Sequence, residues 1–147
     1  AQATVQDNAV NVTPAAIGGL GAGYPTIGAV GAVPTACAAE GTCTQVLGDA
    51  AGAGAGSPNV IQLQIDTATG EIAVDYTTRI AAAGSNRVVL VPTANNAALA
   101  AGMRPAGAII WTCFSVDRAN AGLAGDIAPA AFAPSIGANL TPAECRG

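Results

Sequence analysis

Val60-Ile61-Gln62-Leu63-Gln64-Ile65, then Asp66-Thr67-Ala68-Thr69-Gly70, then Glu71-Ile72-Ala73-Val74-Asp75-Tyr76: this stretch decides the fold. Ile61, Leu63 and Ile65 alternate with Gln62 and Gln64, and Ile72, Val74 and Tyr76 alternate with Glu71, Ala73 and Asp75. That is the period of a half-buried strand, whose successive side chains point to opposite faces. The intervening segment combines Asp, Thr and Gly, which supply turn hydrogen bonds and a positive φ. The stretch reads as a β-hairpin.

Working outward, Arg87 to Val91 reads as a third strand closed by Pro92, and Ala108 to Phe114 as a fourth. Ala94 to Met103 reads as a short helix or loop between them, ending near Gly102 and Pro105. Short connections between successive strands make an antiparallel meander of four strands the economical topology. Upstream, breakers at Pro14, Gly18, Gly19, Gly21, Gly23, Pro25, Gly28, Gly31 and Pro34 leave no room for an amphipathic helix of useful length. A short helical turn fits Thr44 to Ala51, cut off by the run Ala51-Gly52-Ala53-Gly54-Ala55-Gly56. The expectation is one mainly β domain over residues 1–147. A Gly/Ala/Pro-rich wrapping segment covers 1–58, an antiparallel sheet 59–113 and a C-terminal region 113–147.

Composition narrows the function. The chain is 51% hydrophobic but 3% aromatic, so much of its apolar content is alanine and the core should be thin. Charged residues make up 10%, all five basic ones are arginines, and the net charge is −4, which leaves no basic footprint for nucleic acid. A surface so poor in charge suits an extracellular, self-associating protein. No apolar run approaches the ~20 residues a spanning helix needs. The sequence starts at Ala1-Gln2-Ala3 without initiator Met, basic region or apolar leader, and reads as a mature or trimmed secreted domain.

Catalysis lacks its usual parts. With neither His nor Lys, a nucleophile has no customary base, and Ser57, Ser85, Ser115 and Ser135 lie outside any GxSxG context. Asp66 is placed as a turn side chain, and Glu71 and Asp75 as solvated acids on the polar side of their strand. Asp117, Asp126 and Glu144 lack the Asp-x-Asp-x-Asp run of a calcium loop. The expectation is a non-enzymatic chain without cofactor or metal. Asn11-Val12-Thr13 and Asn139-Leu140-Thr141 are formal glycosylation sequons, each followed by proline.

Four cysteines fit two disulfides and an oxidising compartment. Three pairings exist. Cys37 with Cys43 and Cys113 with Cys145 is preferred because the short first loop can close locally, and the other two stay open. A bridge closing the longer loop would stabilise the chain by roughly 3.5 to 4 kcal/mol in the chain-entropy picture.

The order of these features resembles the globular head of type IV pilins. The hairpin is followed by Val88-Val89-Leu90-Val91-Pro92, then Ile110-Trp111-Thr112-Cys113, then Pro142-Ala143-Glu144-Cys145. The likeness covers roughly residues 59 to 147. It implies an antiparallel sheet and a disulfide-bounded C-terminal loop between Cys113 and Cys145, exposed on a filament and contacting neighbouring subunits. Trp111 becomes a core anchor, in company with Ile110, Ile72 and Val74. The departure is the long N-terminal helix of such proteins, of which neither half can be found in this chain. The resemblance therefore implies a cell-surface filament subunit, secreted through the periplasm, whose helix comes from a separate short pilin chain or was cut away. The alternative is a minor pilin or secreted adhesin that binds a surface ligand through its C-terminal loop. Tyr24, Tyr76, Trp111, Phe114 and Phe132 are too few for an aromatic conduction path.

Overall fold

The computed structural model describes residues 1–147. The fold is mainly β and antiparallel throughout the central sheet. Strand β1 (Pro25–Thr26) pairs with β2 (Thr35–Ala36) as a separate two-stranded ribbon. The central sheet then comprises β3 (Thr42–Val46), β4 (Val60–Asp66), β5 (Ile72–Tyr76), β6 (Arg87–Ala94), β7 (Ala97–Ala98) and β8 (Ile109–Phe114). It holds six strands where the sequence led to four. The meander runs β3-β4-β5-β6-β8, with β7 a stub hairpinned onto the end of β6.

The hairpin turn works by local chemistry. The Asp66 carboxylate accepts from the Thr69 amide and hydroxyl, both at 2.8 Å, and Gly70 takes φ +73°. This fixes Leu63 opposite Val74 and Ile65 opposite Ile72, so the apolar residues of both strands share one face.

Three sequence expectations are corrected. Thr44 to Val46, read as helical, lies in edge strand β3, where Cys43 faces Ile65 across the pair. Strand β6 does not stop at Pro92. Partner β5 ends opposite Leu90 and β7 begins opposite Thr93, so at Pro92 only β8 adjoins the strand and the missing donor breaks no bond on the other side. The stretch from Ala94 holds β7, entered through a tight turn in which Asn95 and Asn96 both have positive φ.

The N-terminal third also contains a helix, α1 (Gln2–Val10). Its apolar stripe is only Val5 and Ala9, spaced i and i+4, both buried, which is too faint to register as periodicity. A helix this short is marginal alone and is held by packing. The Asn8 amide ties it to the next segment by donating to the Ala22 carbonyl at 2.8 Å. No helix is long and apolar enough to cross a membrane.

Both sheet faces are covered in part. On the inner face Cys43, Ile65, Ile72 and Ala94 pack with Val5, Ala9, Leu20, Tyr24 and Leu99. On the outer face Ala73, Val89, Val91 and Phe114 pack with Phe132 from the C-terminal region. A smaller cluster of Ala81, Val88 and Ile136 closes the remaining end.

Candidate functional site

The inner face is not covered evenly. Where α1 stops, a groove of about 460 Å³ lies open over the inward positions of three neighbouring strands: Val74 on β5, Leu90 on β6 and Trp111 on β8. All three are only half-buried, although they pack against the main cluster. Gln2, in the first turn of α1, stands at the groove, and Pro142 and Glu144 line it from the C-terminal region. The indole Nε1 of Trp111 is buried and has no hydrogen-bond acceptor.

The C-terminal wall is fixed by covalent and polar ties. The cysteines form two disulfides, Cys37–Cys43 with Cα atoms 5.7 Å apart and Cys113–Cys145 with Cα atoms 4.6 Å apart. The second sets Cys145 against the inward side of β8, beside Trp111. Backbone pairing of Ser115 N with the Cys145 carbonyl at 3.0 Å closes the same corner. The Ser115 hydroxyl caps α2 (Val116–Ala121) by accepting from Arg118 N at 3.2 Å. From α2 the Arg118 guanidinium forks onto Asp126 at 2.8 and 2.9 Å, sits 5.4 Å over the Phe114 ring and donates to the Glu144 carbonyl. The hydrogen bond from Arg118 holds the Asp126 carboxyl below its usual range.

On the outer face, acids read as solvated turn out to be buried and paired. Glu71 is 2% exposed, and its carboxylate accepts from the amides of Ala130, Ala131 and Phe132 at 2.7, 2.9 and 3.1 Å. It clamps the C-terminal segment across Ala73. Asp75 is buried too, gripped by Arg87 at 2.6 and 2.8 Å and by Gln62 at 2.8 Å. Burial pushes the Asp75 carboxyl upward, but the hydrogen bonds from Arg87 and Gln62 outweigh it and leave the pKa lowered. Arg87 also reaches Gln64 and stacks 5.6 Å from the Phe132 ring. A sequence signal for this layer exists: Val88-Val89-Leu90-Val91 is apolar without alternation, the pattern of a strand buried on both faces.

The residues singled out from the sequence divide between the faces. Ile72 is buried in the inner cluster, and Val74 and Trp111 line the groove. Ile110 is no core anchor: it is 62% exposed, because the strand period that turns Trp111 inward turns Ile110 out, beyond the stretch that Phe132 covers.

No protein-family model matches the chain, and no curated protein matches it. Among solved structures it is similar to a type IV pilin of Pseudomonas aeruginosa, strain Pa110594, at 28% identity and a TM-score of 0.47. That likeness takes in 60% of this chain and 64% of the pilin, so this chain spans less than two thirds of that protein.

Proposed function

We propose that the chain is the globular subunit of an extracellular, type IV pilus-like filament, and that a helix supplied by another chain lies in the groove over Val74, Leu90 and Trp111. The observation that carries the reading is the groove itself: an apolar floor left half-open beside the end of a helix that already packs on the same face. Laying an amphipathic helix into an apolar groove is a recurring mode of recognition. The Cys113–Cys145 bridge and the Arg118 contacts hold the wall in place before the helix arrives, which lowers the ordering cost of docking. The sparse charge of the surface suits close packing of heads along a filament.

The test is incorporation into filaments. Leu90→Asn places a polar group on the groove floor, and Val74→Asn does the same on the neighbouring strand. Both variants should fold, by far-UV circular dichroism, and be depleted from isolated filaments relative to wild type. Wild-type levels of both variants in filaments would refute the groove as the helix seat.

A further inference from the structure

A polar cleft of about 410 Å³ lies on the outer face of the sheet. Its floor comes from three neighbouring strands: Gln62 on β4, Asp75 on β5 and Arg87 on β6. Asp75 follows the groove residue Val74, and successive strand positions face opposite sides, so cleft and groove stand back to back. Asn86 and Ser135 form the wall, and Ile61 contributes an apolar side.

Hydrogen bonds fix the floor before any ligand arrives. The side chains of Asp75 and Arg87 are 11% and 28% exposed, and Asp75 is held by both Arg87 and Gln62. Ser135 locks the wall by accepting from Asn86 N at 3.1 Å and Arg87 N at 3.0 Å, while the Asn86 amide donates to the Tyr76 carbonyl. The fold does not require polarity here, since Ala73, Val89 and Val91 pack on the same face. A sunken ion pair is weak grounds for stability, because apolar side chains of similar volume often serve as well or better. Fixed polar groups in a concave site are what orients a small ligand, and the volume falls within the ~300–1,000 Å³ of such sites.

The unused hydrogen-bonding groups define the ligand. Gln62 Oε1 and Asn86 Oδ1 accept nothing within the chain, and Arg87 Nη1 and the Ser135 hydroxyl donate to nothing. Asp75 and Arg87 cancel in charge and no other titratable residue lines the cleft, so an ion gains little there. Strands β4, β5 and β6 each have a neighbour on both sides, which leaves no free edge beneath the cleft for an extended peptide to pair with. A hydroxyl both donates and accepts, so adjacent hydroxyls on a ring satisfy such a mixed set, with the C–H face of the ring against Ile61. We infer that the cleft binds a neutral saccharide ring among Gln62, Asn86, Arg87 and Ser135, whether or not a helix fills the groove on the other face.

The test is an NMR titration of the intact chain with D-glucose, D-galactose, D-mannose and N-acetyl-D-glucosamine, each to about 100 mM, which covers millimolar affinity. At least one sugar should give saturable shifts at the Gln62 and Asn86 side-chain amides, the Arg87 Nε–H and the Ser135 backbone amide. Gln62→Leu removes an acceptor and Arg87→Lys the free guanidinium donor, and each should weaken binding by about threefold to tenfold, the worth of one hydrogen bond. Ala133 is exposed at the rim, so Ala133→Arg obstructs the opening without touching the network and should also weaken binding, even if a floor variant fails to fold. The absence of saturable shifts with all four sugars, or equal shifts with glycerol at matched hydroxyl concentration, would overturn the proposal. So would tighter binding of acetate or N-acetylglycinamide at the same resonances, or undiminished sugar binding by the folded variants.

Discussion

Replacing Glu71 should release the C-terminal segment without unfolding the sheet. Its carboxylate accepts three amides from Ala130 to Phe132 and is shielded from water. Hydrogen bonds to a charged acceptor contribute about 1.5–3 kcal/mol each, but they do not simply sum here. Once the clamp is weak, the segment swings into solvent, so the loss is limited to what docking was worth. Docking also buries Phe132, a further 2–3 kcal/mol or so. Glu71→Ala should therefore destabilise the docked segment by about 3 kcal/mol, and Glu71→Gln, which keeps one acceptor but turns a donor toward the amides, by about 2 kcal/mol. The Cys113–Cys145 bridge tethers the far end, so opening stays local. A loss of 3 kcal/mol corresponds to roughly 100-fold faster hydrogen exchange at Ala130, Ala131 and Phe132, with the β4–β5 amides unchanged. Unchanged exchange at those three amides, in either variant, would show that the clamp holds nothing.

Three further outcomes are expected. Replacing Cys113 and Cys145 together by serine should cost about 3.5 to 4 kcal/mol in urea unfolding, the entropy of a bridge spanning a sequence separation of 32. The Asp75 pKa is lowered from its ordinary 3.8, so its pairing with Arg87 stabilises the fold above that value and is lost as pH falls below it. The urea midpoint should accordingly drop on acidification through that window, less steeply in Asp75→Asn, and stay flat around neutrality. Gly70→Ala should be destabilising by more than about 1 kcal/mol in thermal unfolding, because a side chain at φ +73° is strained and its Cβ would lie 2.7 Å from Val5 Cγ1.

The sheet was legible because its signal is local. Alternation in Val60–Ile65 and Ile72–Tyr76 names both strands, the face each residue takes and the turn between them. What escaped was structure without a local signature. Helix α1 rests on one valine and one alanine and owes its existence to Leu20, Ile65 and Ile72, which are distant in sequence. Strand β3 is short and mixed in composition, and only pairing with β4 defines it. The burial of Glu71 is likewise a long-range fact: nothing near it announces that amides from 59 to 61 positions downstream will satisfy it. The resemblance left the long N-terminal helix unaccounted for, but the extent of the groove depends on α1, which covers part of the inner face.

Cryo-electron microscopy of native filaments, joined to intact mass analysis of their subunits, tests the central claim most directly. The account predicts a helix seated over Val74, Leu90 and Trp111 and belonging to a polypeptide separate from this chain. An empty groove, or a helix covalently continuous with this chain, would contradict it.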